Sequence, residues 1–245
     1  KVYTNQEQVE LFVNGESQGA KKAENYTIVW DVTLNEGGNF VYAKSENLED
    51  AYNITLELIP VELNKRNLEL KELAVNVGSS CYFTDDDSKL TWAPDRAYAP
   101  GSWGYVGGDV YRKTSSRIGT QTEIRNTRNT PLLQTSRVQI EAYKFDVADG
   151  EYEVELFFAD PFGQAESTFH ALGGDNLESV DANIFNVNIN DARVIENLNL
   201  QQNYGAFTNV MKRFVVKVKG GKGITVGFDA VKGVTILNAI KVREL

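Results

Sequence analysis

Four large aromatic rings crowd into one stretch of this chain, TWAPDRAYAPGSWGYVGG at residues 91–108, where Trp92, Tyr98, Trp103 and Tyr105 alternate with Pro94, Pro100 and four glycines. Strands and helices resist that much proline and glycine, so the stretch is expected to be a loop. Exposed rings on a loop suit ligands with flat C–H patches and hydroxyl rims, which is the surface of a sugar ring. Such a site also needs Asp, Asn, Gln or Arg to bond hydroxyl pairs. Asp95, Arg96 and Asp109 stand close by in the sequence. Trp103 and Tyr105 are therefore the candidate platforms, with Asp109 as a hydroxyl acceptor. Trp92 and Tyr98, each beside a proline-bearing turn, read instead as rings folded back onto a core.

A second candidate is FFADPFGQ at 157–164, just past a strand pattern, where Asp160 and Phe162 leave the sheet. The competing reading is a turn with Asp160 capping backbone amides. Gln134 and Arg137 in LLQTSRVQ read as polar ties between loops. The run Asp85–Asp87 lacks the spaced oxygens and glycine of a calcium loop and reads as a solvated turn. His170 is the only histidine. A triad or multi-histidine metal site would need it or more than the chain has, so it reads as an ordinary loop residue. No glycine-rich phosphate loop and no Cys/His cluster occurs, and no carboxylate pair stands out. Neither catalytic residue, metal nor cofactor is expected.

The elements that must position these residues are strands. The 245 residues are 42% hydrophobic, ordinary for a globular protein. A formal charge of −9 disfavours nucleic acid and anionic membrane surfaces as partners. No apolar run approaches membrane-spanning length, so no membrane insertion is expected. The chain begins at Lys1 without a signal peptide, which reads as a processed chain or a piece of something larger. Cys81 is the only cysteine, so no internal disulfide can form.

Almost every periodic segment alternates with period two. VELFVNGES reaches the hairpin signal Asn14-Gly15, and YTIVWDVTL, GNFVYAKS and YNITLELI follow as strands. They make an immunoglobulin-like sandwich over residues 1–60, truncated at its start. VELNKRNLELK, at 61–71, reads as an extended linker. From residue 72 the alternation returns. EYEVELFF sets Tyr152, Val154, Leu156 and Phe158 on one face and three glutamates on the other. Turns follow at Asn190-Asp191 and Gly220-Gly221, and no segment shows convincing helix caps. The expected fold is all-β, an immunoglobulin-like β-sandwich followed by a larger jelly-roll β-sandwich over 72–245.

In order, LAVNVGS, TWAPDRAYAPGSWGYVGG, TRNTPLLQTSR, GEYEVELFFAD, FNVNIND and LNAIKV resemble blocks of the malectin-like carbohydrate-binding domain. The first domain, with VELFVNGESQG and IVWDVTLNEGGNFVYAKS, is similar to the immunoglobulin-like domain that follows the barrel in glycoside hydrolase family 2, which includes bacterial β-galactosidases. The resemblance implies a non-catalytic C-terminal region that binds a glycan or oligosaccharide beside the parent's catalytic barrel, in a periplasmic, cell-surface or secreted bacterial enzyme. It implies that Trp103-Gly104 holds the place of a family Tyr-Gly pair and that Phe162 matches a family ring. Gly163, Val138 and Gly233 stand where the family has a ring, a tyrosine and an aspartate. The implied site is thus Trp103, Tyr105, Phe162, Asp160 and Asp109. The alternative is a brace for the barrel or a homo-oligomer interface, with the loop rings docking on protein.

Overall fold

The computed structural model describes residues 1–63, 70–162 and 183–245. It divides into two units, Lys1–Ile59 and Pro60–Leu245. His170, Gly163 and residues 64–69 of the expected linker lie outside the described residues.

The first unit holds a four-stranded antiparallel sheet in the order Glu16–Lys22, Gln8–Val13, Gly37–Lys44, Glu49–Leu56, and a short pair of Val2–Tyr3 with Thr27–Ile28. The hairpin at Asn14-Gly15 forms as expected, with both residues at positive φ (52° and 86°), the geometry that matches the twist of the flanking strands. Alternation drives Val9, Leu11 and Val13 inward, where they meet Ile28 and Trp30. The stretch YTIVWDVTL is not one strand as expected: only Thr27 and Ile28 pair. Its apolar residues plug the core without a ladder, and the Trp30 indole N–H donates to Gly19 O at 3.1 Å. Buried Asn39 ties the irregular part down. Its Nδ2 donates to Asn35 O and Gly37 O, and its Oδ1 accepts from Asn35 N.

The second unit is a sandwich. One sheet runs Val210–Val218, Gly150–Phe158, Ala239–Glu244, Glu72–Asn76, Thr91–Pro94, Phe83–Thr84, and the other Trp103–Val106, Ala142–Phe145, Ile224–Lys232, Ile184–Ile189, Ala192–Asn199. A third, three-stranded sheet joins Asp109–Val110, Arg137–Val138 and Ile236–Leu237. Tyr152, Val154, Leu156 and Phe158 are buried inward as their spacing requires. Phe158 meets Phe185 of the facing sheet with ring centroids 5.9 Å apart. On the outward face Glu155 is 3% exposed and held by Lys241 at 2.7 Å and by Arg213. Burial alone would raise its carboxyl pKa. The bonds and charges of Lys241 and Arg213 outweigh that and hold it below the usual carboxylate range.

Two expectations need correction here. Residues 91–108 are not a single loop, since both ends are strands, Thr91–Pro94 and Trp103–Val106. Pro94 is tolerated because the neighbouring strand Phe83–Thr84 pairs only with Trp92 and Thr91, leaving the proline past the end of that ladder. Among the described residues two short helices also occur, Thr130–Leu133 with Pro131 in its first turn and Leu200–Tyr204, whose cap Asn199 accepts from Gln202 N.

Candidate functional site

The aromatic stretch turns inward at nearly every ring. Trp92 is 3% exposed and lies edge-on to Phe157 at 5.4 Å. The Tyr98 hydroxyl donates to Asp146 Oδ2 at 2.8 Å. Trp103 is 2% exposed, its indole N–H donates to Pro60 O at 2.7 Å, and the Arg96 guanidinium lies 5.3 Å from its ring centroid. The neighbouring Ser102 hydroxyl donates to Val61 O, and Leu63 N donates to Gly101 O at 2.8 Å. Trp103 is thus spent on fastening Pro60–Leu63, and no exposed face remains for a ligand. That corrects its assignment as a platform.

Tyr105 is half-buried, and the Arg137 guanidinium lies 3.2 Å from its ring centroid, so one face is covered. Arg137 and Asp95 form a buried ion pair, at 3.0 Å with side chains 6% and 3% exposed. Asp95 also accepts from Gly78 N and the Tyr143 hydroxyl, and Arg137 donates to Gly108 O. Burial pushes the Asp95 carboxyl up even against the opposing charge of Arg137. Gly104 completes the clamp. At φ +149° a Cβ there would sit 2.5 Å from Arg96 O, so no side chain fits between these strands. Arg137 is structural, as its sequence setting suggested. Gln134 is too, donating to Thr122 O at 3.1 Å. Asp85 caps its own turn, accepting from Asp87 N and Ser88 N.

The end of the strand Gly150–Phe158 is different. Asp160 is 1% exposed. Its Oδ1 accepts from Phe162 N at 2.8 Å, and its backbone carbonyl accepts from Phe207 N at 3.0 Å. Oδ2 has no hydrogen-bond partner among the described residues, and neither has Gln201 Nε2. Burial pushes the Asp160 carboxyl above the usual carboxylate range, opposed by the Phe162 amide and by the nearby carboxamides of Asn183 and Gln201. Those carboxamides approach the carboxyl without completing a bond to Oδ2. A buried carboxylate oxygen left in that state costs about 1–3 kcal/mol, and more when charged.

Phe162 is half-buried and packs edge-on to Tyr111, with centroids 5.1 Å apart. Tyr111 donates its hydroxyl to Pro161 O at 3.4 Å. Tyr111 follows the strand Asp109–Val110, whose first residue, Asp109, is exposed. Here the structure assembles two rings and an acid from separate parts of the chain.

Sequence reasoning missed Tyr111, Asn183 and Gln201. Nothing local marks them, but position 233 held a clue. A Cβ on Gly233 would lie 2.4 Å from Asn183 Oδ1, so Asn183 occupies the room that a side chain at 233 would need. Asn183 Oδ1 accepts from Val234 N at 3.0 Å, which leaves its amide nitrogen for the Asp160 side. Among the described residues no His/Cys/Asp/Glu group has metal-ligating geometry.

A family model described as Malectin domain matches residues 71–242. The chain belongs to the malectin-domain family. The malectin domain makes up most of this chain, and a second model, a domain of unknown function (DUF4982), matches residues 1–47. Among solved structures the chain is similar to a Bacteroides uniformis beta-glucuronidase. Identity is 38%, the TM-score is 0.72, and the match covers 99% of this chain and 27% of that one. Bacteroides uniformis beta-glucuronidase 2 bound covalently to cyclophellitol-6-carboxylate aziridine matches at the same identity and TM-score, over 99% of this chain and 26% of that one. The chain thus spans about a quarter of the length of these relatives. The plant receptor-like kinase FER shares the fold alone, at 20% identity and TM-score 0.50, over 71% of this chain and 42% of that one. Among curated proteins no match is found. The family and the all-β sandwich fold read from the sequence are both borne out, and a carbohydrate-binding or accessory role follows from the family.

Proposed function

We propose that this malectin domain and its preceding unit form the non-catalytic glycan-binding region of a bacterial glycoside hydrolase, and that they position the enzyme on its substrate outside the cytoplasm. The site is the strand end at Asp160, flanked by Phe162 and Tyr111, with Asn183 and Gln201 as carboxamide partners. One observation carries the reading: among the described residues Asp160 Oδ2 is buried without a partner beside a half-exposed ring pair. A sugar hydroxyl supplies the donor this oxygen lacks, and the rings supply a wall for C–H groups. Because the two solved relatives at 38% identity are beta-glucuronidases, glucuronide-bearing glycans, rather than galactosides, are the substrates this reading gives the parent. The site alone is worth about −4 to −6 kcal/mol, millimolar to tens of micromolar, and tethering makes it effective.

Calorimetric titration with glucuronide and neutral glycans tests it. Saturable binding that Asp160→Asn weakens supports the site, whereas no heat at millimolar sugar contradicts it. A second reading rests on Trp103, whose bond to Pro60 O makes the aromatic stretch a brace. On that reading the region props the catalytic part or a second copy and binds no sugar. Light scattering would then show a concentration-dependent dimer in a chain silent to every glycan.

A further inference from the structure

Beyond Gln201 lies a cleft of about 510 Å³, lined by Thr122, Glu123, Arg125, Gln201 and the turn Gly205–Phe207, within the size range of small-ligand sites. Its wall is built from an extended run in which Ile124 is 2% exposed and points into the core. Residues on either side of an inward residue in extended chain point outward together, so Glu123 and Arg125 both face the cleft. The run is held in place by Arg125 N donating to Phe207 O at 2.8 Å and Asn209 N donating to Arg125 O at 2.9 Å.

The guanidinium is aimed rather than loose. Arg125 Nη2 donates to Ala206 O at 2.8 Å, and a Cβ on Gly205 would lie 2.9 Å from that nitrogen. Gly205, at φ +84°, is thus the residue that lets the guanidinium seat on the turn. Phe207 is held at φ +51°, a strained setting for an aromatic residue that persists only where the surroundings impose it. Among the described residues Arg125 has no carboxylate within ion-pairing distance, and Gln201 Nε2 is a buried donor without a partner.

We propose that this cleft is a second saccharide subsite selective for a uronic acid unit, an inference that rests on the glycan-binding reading above. Arg125 receives the sugar carboxylate through its remaining N–H groups, the planar geometry a guanidinium matches best. Gln201 donates to a ring hydroxyl, and Glu123 accepts from hydroxyls at the end of the ring away from the carboxylate. Gln201 also approaches Asp160, so the subsite adjoins the first site.

The test is calorimetry of the full chain with a galacturonate tetrasaccharide and with its neutral galactose counterpart. The uronate is expected to bind at least about tenfold tighter, about 1.4 kcal/mol, with the preference shrinking as salt is raised. Arg125→Gln brings the two ligands to parity, and Arg125→Lys restores only part of the gap, because it keeps the charge and loses the fork. Circular dichroism confirms that both variants fold. Equal affinity of the intact chain for the two ligands overturns the subsite, and so does a preference that survives Arg125→Gln. If neutral glycans bind and Asp160→Asn abolishes that binding while Arg125→Gln changes nothing, only the subsite fails. If neither ligand binds, the glycan-binding reading fails with it.

Discussion

The aromatic stretch at 91–108 and the strand end at 158–162 look equally promising as text, yet they have opposite physical characters. In the first, the polar atoms of Trp103, Tyr98 and Asp95 are matched, and the one ring nitrogen without a partner among the described residues, Trp92 Nε1, is sealed in an apolar core cluster with Leu132 and Leu133 rather than beside an open ring. The Trp103 indole has Pro60 O, the Tyr98 hydroxyl has Asp146, and Asp95 accepts from Arg137, Tyr143 and Gly78. In the second, a buried carboxylate oxygen has no partner among the described residues and two rings stay half open. Aromatic density marks where a chain places large rings, but not which way they face. Unmet hydrogen-bonding capacity beside half-open rings, which costs stability and lies within a ligand's reach, is the better pointer.

The sharpest way to break this comparison is to cut each region and read stability and binding together. Arg137→Ala leaves Asp95 buried and unpaired, and should cost about 3–5 kcal/mol in urea unfolding of the second unit. Trp103→Ala empties a buried ring's volume and should cost about 3–5 kcal/mol, while the affinity of the molecules that remain folded is unchanged. A sugar response lost from folded Trp103→Ala protein would restore the aromatic stretch as the site.

Asp160→Asn should do the reverse. It keeps an acceptor for Phe162 N, removes a charge that burial disfavours, and leaves stability at neutral pH equal or higher. Glycan affinity should fall about tenfold or more, the loss expected for a hydrogen bond to a charged group. Phe162→Ala should weaken binding several-fold and cost stability by about 1 kcal/mol, since its ring is half open already.

The same contrast has a pH signature. Glu155 is held below its ordinary value of about 4.3, so its contribution to stability is complete above the unfolded value and is lost as pH falls through the folded one. Urea midpoints should drop on acidification below that value, less steeply in Glu155→Gln. Asp160 is raised, so its contribution has the opposite sign: present at low pH and lost as pH rises through its folded value. The Asp160→Asn variant should lack that second loss. These are the smallest effects and need paired pH series to resolve.

Much of the fold was legible because one face of each long strand is buried. The alternation in EYEVELFF fixes which residues enter the core, and the Asn14-Gly15 and Gly220-Gly221 signals mark turns that form. It failed where apolar residues fill a core without a ladder, as Trp30 does, and where proline sits past the end of a short neighbouring strand, as Pro94 does. The site was half legible. Asp160 and Phe162 stand together in the sequence. Tyr111 and Asn183 reach them only through the folded chain, and the partner of Trp103 lies 43 residues away. Side-chain direction at a strand end is decided by such distant contacts, which no local spacing encodes.

The most direct test of the central claim is calorimetric titration of one glucuronide-bearing oligosaccharide into the intact chain, Asp160→Asn and Trp103→Ala, with the folded fraction of each fixed by circular dichroism. The account predicts saturable binding by the intact chain, the same affinity per folded molecule in Trp103→Ala, and a loss of about tenfold or more in Asp160→Asn. Binding that survives Asp160→Asn and disappears in folded Trp103→Ala would contradict it.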